Sequence, residues 1–300
     1  MKASLRLALA LSLLAGAARA ADATPPAADL AFGAYQRGDY VAAMGEAEKR
    51  LAANPRDAAA LTLIGRLYLD GQGVARDGAR AMQWFRRAAD AGGKDAAYFF
   101  GAATLTGRDT QKDHALARAY LEKAQDHPAA LELLGETALE NDGKEPDFAR
   151  AIAYFRRAAL LDDSDAAYAL AQLYKNGRGV PADPAEAANW LRKASEAGHT
   201  AAMVEFAIMQ FNGAGVARDR THAVELLRQA AAAGNIVAQN RLARLLAEGL
   251  GVEKNHSEAM LWNSRAKASG LKDDKLDALL EATIPPAEKP AAPPAAAAGK

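Results

Sequence analysis

The sequence predicts an all-α solenoid, and three observations carry that expectation. A motif of two spaced glycines, a valine and an acid or amide recurs at Gly71, Gly73, Val74 and Asp77; Gly177, Gly179, Val180 and Asp183; Gly213, Gly215, Val216 and Asp219; and Gly249, Gly251, Val252 and Asn255, with the last three copies 36 residues apart. A fixed period of this length is the signature of a repeat array. Each motif is flanked by helix-period stretches, such as Leu61, Ile64, Gly65 and Tyr68 before it and Ala81, Trp84, Phe85 and Ala88 after it. The composition agrees: alanine is abundant, and with 25% charged but only 6% aromatic residues the chain suits closely packed helices rather than large sheets.

The elements follow in order along the chain. Lys2 and Arg6, the apolar run Leu7 to Ala17, and the small-x-small site Ala18-Arg19-Ala20 match a secretory signal over residues 1–20, with cleavage expected after Ala20. A stretch of eleven residues falls short of the roughly 20 needed to cross a bilayer, so no stable membrane insertion is expected after cleavage. The mature chain is then expected in the periplasm or outside the cell. Residues 21–28 read as a linker. Residues 29–57, with Gly33, Tyr35, Gly38, Tyr40, Ala43 and Pro55, read as a tetratricopeptide-like helix pair that caps the array.

Six repeats should occupy residues 58–270. The second and third lack paired glycines but keep the period through Gly107, Asp109 and Asp113, and through Asn141, Gly143 and Asp147. One interval shortens to 34 residues, between Ala124 and Gly135. In each repeat the glycines end a first helix in the left-handed conformation, and Asp77, Asp113, Asp147, Asp183, Asp219 or Asn255 caps the second. Glu186 and Glu258 stand at capping-box spacing. The rings at Trp84, Tyr120, Tyr154, Trp190 and Trp262 are expected as core knobs, with alanines one turn away admitting the neighbouring helix. Residues 271–284 should form a C-terminal capping helix, and the Pro- and Ala-rich residues 285–300 a disordered tail.

Several function classes find no support. Of 37 basic residues, Lys2, Arg6 and Arg19 leave with the leader, so 34 face 37 acidic ones, and no basic patch suited to nucleic acid appears. Absence of cysteine removes thiol chemistry and cysteine-ligated metals. His114, His127, His199, His222 and His256 lack metal-ligand spacing and read as surface residues. The Gly-x-Gly pairs lack the preceding strand and third glycine of a dinucleotide site, and no catalytic serine elbow is present. No cofactor, metal or catalytic residue is expected.

The motif resembles the Sel1-like repeat, a relative of the tetratricopeptide repeat with a longer loop between its two helices. The resemblance implies a right-handed α/α superhelix that binds a protein or peptide on a concave face lined by the first helix of each repeat. Transferring the tetratricopeptide contact positions gives Thr62, Arg66 and Asp70; Asp95, Tyr98 and Leu105; Glu132, Glu136 and Glu140; Tyr168, Gln172, Lys175 and Asn176; Val204, Ile208, Phe211 and Asn212; and Asn240, Arg244 and Glu248. Apolar entries among them are read either as anchors for a partner or as ordinary core. Two alternatives stand beside this binding role: an envelope enzyme acting on β-lactam or peptidoglycan-like ligands, as a cysteine-rich branch of the family suggests although this chain has no cysteines, and a polysaccharide-associated binding protein.

Overall fold

The computed structural model describes residues 29–282; the expected signal peptide, linker and Pro/Ala-rich tail lie outside them. Helices α1 (Leu30–Gln36) and α2 (Tyr40–Ala53) form the first pair. Six pairs follow, each a first and a second helix: α3 (Ala58–Asp70) and α4 (Gly78–Asp90), α5 (Lys94–Thr106) and α6 (His114–Lys123), α7 (Pro128–Glu140) and α8 (Phe148–Leu160), α9 (Ser164–Asn176) and α10 (Pro184–Glu196), α11 (Thr200–Asn212) and α12 (Arg220–Ala232), α13 (Ile236–Glu248) and α14 (His256–Ala268). A last helix, α15 (Asp274–Ala282), packs on α13 and α14 through Leu276 and Leu280.

Chain direction reverses the same way in every repeat. Gly71, Gly107, Asn141, Gly177, Gly213 and Gly249 follow the first helices in the left-handed region. The six capping side chains each accept a bond from a backbone N–H of the second helix, as Asp77 does from Arg80 at 2.9 Å. Their own N–H groups donate back to the first helix, Asp77 to the Tyr68 carbonyl at 2.9 Å and Asn255 to that of Leu246 at 3.0 Å. That bond replaces the reciprocal capping-box bond expected at Glu258. With the cap already satisfied, Glu258 reaches the Arg228 guanidinium of the preceding repeat instead.

The second loop position joins neighbouring repeats. A Cβ on Gly215, at φ +70°, would lie 2.2 Å from the carbonyl oxygen of Pro184, the first residue of α10, and one on Gly179 would lie 2.1 Å from Phe148, the first residue of α8. Gly73 and Gly251 approach Tyr40 and Arg220, which open α2 and α12, in the same way. The two irregular repeats keep the contact by other means. Asp109, at φ 60°, sets its carboxyl over Gly78 at the start of α4, where a Cβ would be 2.2 Å away. Asp142, at φ 52°, meets His114 at the start of α6. A larger residue in the loop is thus matched by no side chain at the facing helix start, or by a polar partner there.

In the first four repeats the residue after the ring expected as the knob is the deeper of the two. Phe85 and Phe155 are 0% and 2% exposed, whereas Trp84 and Trp190 are only half-buried and Trp262 alone of the tryptophans is buried. The reason is a close approach: Gly65 and Gly135 would place a Cβ 2.7 Å and 2.5 Å from the Phe85 and Phe155 rings. The short interval arises because α6 stops at Lys123, three residues shorter than its counterparts, before a turn that leads to Pro128. Buried residues divide there into separate apolar clusters that meet on α7. First helices of neighbouring repeats approach each other at α5–α7 and α7–α9, and no two successive second helices approach as closely. This tighter spacing puts the first helices on the inner side of the array.

Candidate interaction face

The inner face is built by side chains one turn apart on the first helices, and the expected site residues fall on it in three groups. At the start of the array, Arg66 lies over the Phe99 ring at 5.3 Å, and Tyr98 stacks on His127 with centroids 4.3 Å apart. Both are half-buried contacts between repeats. Beside them Glu132 and Glu136 sit half-buried with no hydrogen-bond or ion-pair partner among the described residues. Desolvation, reinforced by Asp163, Glu136 and Asp165, pushes the Glu132 carboxyl up to about 8. Desolvation with Glu140, Asp165 and Asp163 raises Glu136 as well.

The second group converges on a residue that the contact positions did not include. Glu205, on α11, accepts from the Tyr168 hydroxyl at 2.8 Å, the Gln172 amide at 3.0 Å and the Lys175 ammonium at 2.8 Å. Burial works against the charge on Glu205, yet the bonds from Lys175, Gln172 and Tyr168 outweigh it and hold the carboxyl below its ordinary value. Tyr168 is driven the other way by burial and by Glu205. His199 stacks on the Tyr168 ring at 4.4 Å, accepts from the Ala202 N–H through Nδ1 and meets Asp165 at 3.2 Å. Tyr168, Gln172 and Lys175 therefore join repeats four and five. His127 and His199, expected on the surface, are groove residues, because each ends a loop directly beneath a tyrosine one repeat earlier.

The third group lines a recess of about 480 Å³ between α11 and α13. Ile208, Phe211, Asn212, Asn240 and Arg244 line it, with Ala207, Leu227, Val237, Arg241 and Leu245. Ile208 and Phe211 are half-buried, Asn212 is exposed, and the Arg220 guanidinium lies over the Phe211 ring at 4.9 Å. On its far side Arg244 pairs with Asp273, which also accepts from Asn240 at 3.0 Å. Val204 does not reach this face: it is 5% exposed and belongs to the core. Among the described residues no group of His, Asp and Glu could hold a metal ion, and no helix is long and apolar enough to cross a membrane.

One signal for Glu205 was present in the sequence. It lies about one repeat beyond Tyr168, Gln172 and Lys175, where a side chain on the next first helix can reach back.

Comparison with known proteins places this architecture. The Sel1 repeat family model matches residues 58–93, 94–126, 128–163, 164–199, 200–235 and 236–271. The chain is similar to the crystal structure of a Sel1 repeat protein from Oxalobacter formigenes, at 28% identity and TM-score 0.66, covering 82% of this chain and all of that one. It is also similar to a protective antigen of uropathogenic Escherichia coli strains described as displaying an SLR fold, at 27% identity and TM-score 0.70 over 81% of this chain. The alignment takes in 53% of the antigen, so this chain spans about half its length. No curated protein sequence matches the chain.

Proposed function

The chain belongs to the Sel1 repeat family, and on that footing we propose that it is an exported adaptor whose inner face holds a segment of a partner protein. Proteins of this family are generally interaction modules built on non-catalytic scaffolds. The observation that carries the finer reading is the recess between α11 and α13. It keeps apolar side chains, Ile208, Phe211 and the 46% exposed Val237, open on a face where Tyr168, Gln172, Lys175 and Arg244 are engaged in bonds of the chain's own. Apolar and aromatic groups in such a depression act as anchors for a partner side chain.

The test is capture of a partner from envelope extract by the wild type, by Phe211→Ala and by Glu46→Ala, the last in the N-terminal pair where Glu46 bonds Lys49 on the same helix. Loss of capture in the first variant alone, with helical content and melting unchanged, supports the reading. Retained capture by Phe211→Ala contradicts it. Export rests on the leader in the sequence, and mass spectrometry of the mature protein checks it. Ala21 as the first residue is expected, and Met1 retained on the exported chain contradicts it.

A further inference from the structure

Resting on the reading that the inner face is the binding face, we propose that the segment held there is extended, and that it offers an apolar side chain to the α11–α13 recess and Lys or Arg side chains to the carboxylates of α7 and the start of α9. Two independent features define this occupant. The recess is apolar along Ala207, Ile208, Phe211, Leu227 and Val237, and its volume is ample for a large side chain. Its rim is basic: Arg241 is exposed with no acidic partner among the described residues, and Arg220 covers Phe211. A cationic side chain is repelled at that end.

Toward the middle of the array the sign reverses. Glu132 and Glu136 lack partners, and Glu140, Asp163 and Asp165 stand close enough to raise their affinity for protons. The groups facing them are Tyr98 from α5, His127 at the start of α7, whose Nδ1 is buried without a partner, and His199 at Asp165. None is a lysine or arginine. Elsewhere on the same face the chain answers its own carboxylates, Glu205 with Lys175 and Asp273 with Arg244. A half-buried carboxylate without a counter-charge is costly, which is why Glu132 holds its proton; a cation from outside takes the place of that proton and lets the carboxyl ionise.

The two features fix a spacing. The α7–α9 and α11–α13 junctions are two repeats apart, so, taking the 8–10 Å of directly packed helices as the least separation and an extended chain rising about 3.3 Å per residue, cation and anchor should be at least about five residues apart.

The experiment pans a display library of random peptides, about twelve residues long so as to exceed that spacing, against the immobilised full chain. Affinities of the enriched peptides are then measured by fluorescence anisotropy for wild type, Glu132→Gln/Glu136→Gln and Phe211→Ala, with circular dichroism to confirm folding. The expected peptides carry Lys or Arg at that spacing from Trp, Phe or Leu. The double glutamine variant should weaken them about tenfold, and this loss should vanish for peptides whose basic residues are replaced by alanine. Enriched peptides without basic residues, or indifferent to the glutamine variant while weakened by Phe211→Ala, overturn the proposed occupant and leave the binding face standing. Indifference to both variants, or no enrichment, overturns the binding-face reading itself. Competition by a peptide of residues 283–300, or a dimer seen by light scattering that the peptides dissociate, assigns the groove to the chain itself and likewise overturns the proposal.

Discussion

Glu205→Ala is expected to cost about 2–3 kcal/mol, because one carboxylate answers three donors from the preceding repeat. A net hydrogen bond to a charged group contributes about 1.5–3 kcal/mol when buried. Glu205 is half-buried, so about 1 kcal/mol each for the Tyr168 and Gln172 bonds is the appropriate scale. The Lys175 ammonium has 48% of its side chain exposed, and a pair so hydrated adds about 0.5 kcal/mol. Glu205→Gln keeps one acceptor oxygen and should lose about half as much. Urea unfolding followed by far-UV circular dichroism measures both. Because stability in a repeat array is carried by nearest-neighbour interfaces, the loss should fall on the junction of repeats four and five and broaden the transition. A change under about 0.5 kcal/mol would refute the reasoning, and would return Tyr168, Gln172 and Lys175 to the pool of free binding residues.

Other expectations follow from the same contacts. Gly215→Ala should destabilise by about 2–4 kcal/mol, combining left-handed strain with the collision at Pro184, whereas Gly234→Ala, at φ +89° with nothing within 4 Å, should cost only about 1 kcal/mol; equal losses in chemical denaturation would remove the inter-repeat role of the second glycine. Trp262→Ala should cost about 3–4 kcal/mol, while Trp190→Ala, half-buried, should cost about half that, and the reverse order would contradict the burial described. Glu132 has a folded pKa near 8 against an ordinary 4.5, so the folded state holds a proton that the unfolded chain releases; stability falls as pH rises through that window. Glu132→Gln should therefore melt with the wild type at about pH 5 and above it at about pH 9, by about 1–2 kcal/mol after discounting for solvent at the groove. Matching melting curves at the higher pH would contradict the raised pKa.

Much of the array is legible in the sequence because repeats write local geometry many times over. The caps at Asp77 to Asn255 and the left-handed glycines depend only on neighbouring residues, so their spacing suffices to place them. Contacts between repeats are harder to read. Gly215 touches Pro184 across 31 positions, and Asp109 settles over Gly78, a compensation visible only once the two loops face each other. In the first and third repeats the knob stands one residue after the expected ring for a related reason: Trp84 and Phe85, like Tyr154 and Phe155, fit the same helical stripe, and Gly65 and Gly135 decide which ring enters, whereas Tyr120 and Trp262 are buried as expected. On the inner face, family contact positions located the recess at Ile208 and Phe211 but also Val204, which the helix turns into the core. They passed over Glu205, whose role depends on three side chains from another repeat.

Site-specific photo-crosslinking tests the central claim most directly. A benzoylphenylalanine placed in turn at Asn212 and Arg241 on the inner face, and at Arg192 and Met260 on second helices, would be exposed in cells to whatever the protein binds. The account predicts crosslinks to a partner from the first two positions and none from the other two. Crosslinks confined to Arg192 or Met260 would place recognition on the outer face and contradict it.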